Sequence, residues 1–111
     1  MGAASLTGAV QVMTTVDSRE AADRIAQHLL DARIAACVQV IGPVTSRYWW
    51  QGKIEQGEEW LCLIKTRHAL YERVEAAVRD LHPYEIPEII CIPVTAGSAR
   101  YLEWLMAETP V

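Results

Sequence analysis

Apolar residues at Val10, Val12 and Val16 fall on alternate positions and predict a first strand over residues 10–16. Asp17-Ser18-Arg19-Glu20 follows, and an aspartate three positions ahead of a glutamate resembles a capping box that opens a helix. Ala22, Ile25, Ala26, Leu29 and Leu30 then recur at helical spacing, with Asp23, Arg24, Gln27 and His28 off that face. From Ala36 the pattern turns to β-branched residues, predicting strand over 37–41, a break at Gly42-Pro43 and a continuation over 44–50. Gln51-Gly52-Lys53 is a turn signal, and the returning strand over 54–65 crosses Gly57. Together these make one long hairpin, with bulges or bends expected at Gly42-Pro43 and Gly57. Thr66 is expected to cap a second helix, whose Leu70, Val74, Ala77, Val78 and Leu81 repeat at helical spacing while Glu72, Arg73, Arg79 and Asp80 face water. Pro83 ends it. Residues 89–94 form a fourth strand in which Pro93 marks an edge or a bulge, and Ser98 caps a short last helix carrying Tyr101, Leu102, Trp104 and Leu105.

This order predicts an α+β fold: a ferredoxin-like βαββαβ sandwich with a long central hairpin and a short C-terminal helix. Right-handed crossovers put both main helices on one face of an antiparallel sheet. The third strand shows Trp60, Cys62 and Ile64 on one side but Leu61 and Leu63 on the other, and residues 89–92 are likewise apolar on both sides. Two helices cover only one face, so a second subunit is expected over the other, with the hairpin reaching across to a neighbour.

At 111 residues the chain makes one domain, residues 10–111, behind a frayed segment 1–9 of small residues without pattern. A net charge of −4 with scattered basic residues argues against a non-specific nucleic-acid binder, which needs clustered Lys and Arg. No basic residue precedes Arg19 and no apolar run approaches bilayer length, so neither a signal peptide nor a membrane span is expected, and the cytoplasm is the default location. Cys37, Cys62 and Cys91 are odd in number, far apart and set in apolar runs, which favours reduced, buried thiols over disulfides or a structural zinc site.

Enzymatic signatures are missing: there is no GxSxG elbow, Gly-rich phosphate loop or HExxH. Chemistry concentrates instead in His82-Pro83-Tyr84-Glu85-Ile86-Pro87-Glu88-Ile89, where two prolines stiffen the backbone and hold His82, Tyr84, Glu85 and Glu88 in fixed mutual positions. An imidazole beside carboxylates suits Cu²⁺, Ni²⁺ or Zn²⁺, making His82, Glu85 and Glu88 candidate metal ligands that need further donors from a neighbouring chain. His28 and His68 read as surface residues. Lys65, at the strand-to-helix junction, favours an anion and, with Tyr84, Trp50 and Tyr48, is a candidate ligand cleft. Tyr48, Trp49, Trp50 and Trp60 offer either a stacking surface or an interface.

Ala35-Ala36-Cys37, Ser46-Arg47-Tyr48-Trp49-Trp50-Gln51-Gly52, Glu59 through Thr66, the stretch 82–89 and Tyr101-Leu102-Glu103-Trp104 together resemble the CutA family, the divalent-cation tolerance proteins, across nearly the whole chain. The resemblance implies a homotrimer similar in architecture to PII signalling proteins, a response to divalent metal ions, and copper binding through a first-strand cysteine and histidines before the proline-tyrosine pair. Those positions look like Thr14 and Leu81 here, with His82 retained, while Cys37 matches a family cysteine and is a possible thiol site in a strand setting that favours burial. The first expectation is therefore a non-enzymatic cytosolic trimer that binds Cu²⁺ or another divalent cation weakly and needs no cofactor to fold. The second is a PII-like regulatory trimer holding a small anionic ligand in its inter-subunit clefts, and the third is a scaffold for a protein partner.

Overall fold

The computed structural model describes residues 7–111. Eight alternating residues form β1 (Ala9–Val16), whose Val10, Val12, Thr14 and Val16 are buried on one face. Residues 1–6 of the expected frayed segment lie outside the described residues. Thr7 is already held, its hydroxyl donating to the Val94 carbonyl at 2.6 Å, and the Gly8 carbonyl accepts from the His68 N–H, so the expected fraying does not extend to residues 7–9.

Helix α1 (Arg19–Asp31) is capped by Ser18, whose Oγ accepts from the Ala21 N–H at 3.0 Å, not by Asp17 as the capping-box pattern suggested. Its apolar stripe, Ala21, Ala22, Ile25 and Leu29, lies buried against the sheet. The long hairpin is β2 (Cys37–Trp50) and β3 (Lys53–Arg67), joined through Gln51 and Gly52, both with positive φ as a two-residue turn between twisted strands requires. The register shifts between Ile41 and Val44, at the predicted Gly42-Pro43 break. No shift occurs at Gly57, which pairs in register with Ser46.

Thr66 does not cap a helix. It stays in β3, fully buried, with its hydroxyl donating to the Ile34 carbonyl at 2.6 Å. A 3₁₀ turn over His68–Leu70 intervenes before α2 (Tyr71–Leu81), which buries Val74 and Val78 beside α1. A stiff connector leads to the short strand β4 (Ile90–Pro93), and α3 (Ala99–Glu108) follows, capped by Ser98.

The four strands form one antiparallel sheet in the order β2-β3-β1-β4, which puts Pro93 on an edge strand. The fold is ferredoxin-like α+β. Ile25 and Leu29 of α1 and Val74 and Val78 of α2 close one core with Val10, Val12, Cys62 and Ile64 of the sheet. The opposite face is covered only in part. Helix α3 sits at one end, where the Arg67 guanidinium donates to the Met106 carbonyl and Leu105 is buried. Ile41, Ile90 and Ile92 remain exposed beyond it, with Met13, Leu61 and Leu63 half-buried.

Candidate functional site

The chain turns out of α2 at His82, which is extended because Pro83 disfavours a helical predecessor. Its ring swings back to the end of β1. Nε2 lies 2.9 Å from the Thr15 carbonyl and 3.1 Å from Thr14 Oγ1, while Nδ1 accepts the backbone N–H of Tyr84 at 3.1 Å. A backbone N–H only donates and a carbonyl only accepts, so these partners assign the neutral ring with its proton on Nε2. Burial holds the imidazole below its usual range, against the opposing influence of the Thr15 carbonyl and the Asp17 and Glu59 carboxylates.

Tyr84 lies against that ring, with centroids 4.8 Å apart, and its hydroxyl donates to Glu59 Oε2 of β3 at 2.7 Å. Burial first, and then this bond, push the phenol well above the ordinary tyrosine range. One chain of contacts thus links the end of β1, the connector and the returning arm of the hairpin.

Beside this linkage lies a cleft of about 660 Å³. Tyr48, Trp49 and Trp50 of the outgoing arm and Tyr84 of the connector supply its aromatic wall. Glu59, Glu85 and Glu88 supply three carboxylates, against one guanidinium from Arg47, which itself bonds Gln56 across the hairpin at 2.7 Å. The structure thus brings together Tyr48, Trp50, Tyr84, Glu85 and Glu88 among the candidates read from the sequence. Lys65 is not among them. It lines a separate cavity of about 260 Å³ between α3 and the sheet, and its Nζ donates to Gln39 Oε1 at 2.9 Å. The expected anion site therefore loses its cation, because Lys65 pairs with Gln11 and Cys37, six residues along β3 from Glu59 and at the other end of the sheet.

A resident metal does not fit a single chain. Both His82 nitrogens are engaged within the fold, and no group of three His, Cys, Asp or Glu side chains converges among the described residues. Cys37 is half-buried in the row with Lys65, away from the cleft. Cys62 and Cys91 face the core, where burial lifts both thiols, Cys62 to about 11, as their apolar strands predicted. Glu59 and Arg47 stand out in the cleft only in three dimensions. Counting back from the two-residue turn, which pairs Trp50 with Lys53, would have placed Glu59 opposite Val44, midway along the hairpin.

The family model described as CutA1 divalent ion tolerance protein matches residues 10–108. The chain belongs to the CutA family. It is 41% identical over 98 residues to the divalent-cation tolerance protein CutA of Thermus thermophilus, covering 88% of this chain and 95% of that one. Human Protein CutA is 38% identical over 109 residues, 97% of this chain but 61% of the human protein. Against the rice chloroplastic Protein CutA 1 the chain spans 56% of the relative's length. The Thermus CutA1 structure superposes with a TM-score of 0.89 at 39% identity, covering 92% of this chain and 99% of that one, and CutA of Xylella fastidiosa gives 0.90 at 34%, covering 93% and 99%. The family is named for ion tolerance and not for a reaction, and its members carry differing locations in their names, chloroplastic in rice and periplasmic in Archaeoglobus fulgidus. No helix among the described residues is long and apolar enough to cross a membrane.

Proposed function

We propose that the chain is a non-catalytic divalent-cation tolerance protein that works as a homotrimer in the cytosol and takes up cations weakly in the cleft of Glu59, Glu85 and Glu88. The excess of carboxylate over guanidinium in that cleft carries the reading, since a concave surface of one sign concentrates the opposite ion. His82 serves as a positioning residue that fixes the connector, and the carboxylates meet the ion. Affinity stays low until a neighbouring subunit adds donors. Cu²⁺ leads the divalent first-row series for such a donor set, so it is the strongest competitor for the cleft. The half-open sheet face supports the trimer, because Ile41, Ile90 and Ile92 need cover. Cysteines that form no disulfide suit a reducing compartment.

Calorimetric titration of metal-free protein with Cu²⁺ and with Zn²⁺ tests the site. Weak, saturable heats are expected for the parent chain and for His82→Asn, and a marked loss for Glu85→Gln combined with Glu88→Gln. An unchanged isotherm in the double variant would rule the carboxylates out. Light scattering tests the assembly: a mass near that of one 12.4 kDa chain at micromolar concentration excludes the trimer.

A further inference from the structure

The hairpin arm presents three consecutive aromatic residues, Tyr48, Trp49 and Trp50, all exposed, with Trp49 at 71%. None of these rings packs against another ring among the described residues, so their faces are not used up within the chain. They border the same cleft as the phenol of Tyr84, whose hydroxyl is fixed on Glu59. About 660 Å³ is far more than a bare ion fills and falls in the range of small-molecule sites. Aromatic faces carry negative potential at their centres and attract an organic cation, more strongly where water is excluded. Carboxylates at the rim then set the sign of the charge accepted. Inner-sphere metal binding draws on converging lone pairs and gains little from indole faces, so the aromatic wall is unexplained by metal uptake.

From these features we infer that the cleft binds an organic ammonium, a quaternary or alkylated amine, with its charge against Tyr48, Trp50 and Tyr84, since strand alternation turns Trp49 to the other face, and its counter-charge from Glu59 and Glu85. The inference rests on the cleft assigned above but not on metal uptake in it. Arg47 lies on the same wall and keeps its bond to Gln56, which leaves the carboxylates in excess.

Tetramethylammonium, added to metal-free full-length protein and followed by saturation-transfer NMR and tryptophan fluorescence, tests it. Saturable binding is expected for the cation and none for neopentyl alcohol, a neutral and water-soluble molecule of similar bulk, or for acetate. Trp50→Leu and Glu85→Gln change exposed side chains of the cleft; each should weaken binding about threefold to tenfold. Lys65→Met, in the other cavity, should leave it unchanged. Equal binding of neopentyl alcohol, unaltered affinity in both cleft variants, or no saturable response to the cation overturns the inference. Tetramethylammonium binding without Cu²⁺ or Zn²⁺ heats would sink the metal reading alone, and metal heats without tetramethylammonium binding would sink this one alone.

Discussion

The imidazole of His82 accepts the backbone N–H of Tyr84 at 3.1 Å, two residues along its own connector. That bond exists only while Nδ1 is unprotonated, and Nε2 at the same time needs its proton for the Thr15 carbonyl. The folded state therefore prefers the neutral ring, and its affinity for a proton is lowered relative to the unfolded chain. The contribution of His82 to stability is complete above the unfolded histidine value of about 6.5 and is lost progressively as pH falls below it. Urea midpoints measured from pH 8 down to pH 5 should fall more steeply for the parent than for His82→Asn. Parallel pH profiles would show that the ring is not held neutral.

Tyr84→Phe removes the hydroxyl that donates to Glu59 and leaves the ring tilted against that of His82. The bond is charge-assisted but only part-buried, so a loss of about 1 kcal/mol is expected by chemical denaturation. Glu59→Leu, which leaves the Tyr84 hydroxyl no acceptor there, should cost a similar amount. Because both changes remove one interaction, the double variant should lose less than the sum of the two, and strict additivity would mean that the residues act separately.

Gly42 is held to its size by a neighbour. A Cβ there would lie 2.5 Å from Trp60 Cδ1, inside any permitted contact. Gly42→Ala should push the indole off the core edge, shift the tryptophan emission, and destabilise by about 1–3 kcal/mol, as overpacking does. Fluorescence and urea midpoints unchanged from the parent would show that Trp60 moves aside freely.

Thr66→Val keeps the shape of the side chain and removes its bond to the Ile34 carbonyl, with both residues buried. A cost of about 1–2 kcal/mol is expected in denaturant unfolding. Thr66→Ser should recover most of the loss, because it restores the hydroxyl.

The fold was legible in the sequence wherever periodicity governed. The stripe of Ile25 and Leu29, the alternation of β1 and the turn at Gln51-Gly52 each state a local geometry that packing then used. Local chemistry was less decisive where two residues could do the same job: Asp17 and Ser18 are both good caps, and only the backbone path chooses Ser18. Thr66 combines cap and strand preferences, and burial against Ile34 decided for the strand. At the cleft, the connector could be read and its partners could not. The ring of His82 meets Thr14 and Thr15, residues 68 and 67 positions away, and nothing in the residue types foretells that contact. Lys65 was misplaced for the same reason, since the end of the sheet it serves depends on how the strands pair.

The strand order also sets a timetable. Strand β1 leaves the ribosome before the other three strands of the sheet, yet it is flanked by β3 and β4, and Val12 faces Cys91 of the last of them. The hairpin, closed by two residues, can zip as soon as it emerges, whereas β1 has to wait for both of its mates, with loop closure to bring them together. During synthesis its valines stay exposed until those mates arrive, and the first of the four strands to emerge completes its pairing only with the last.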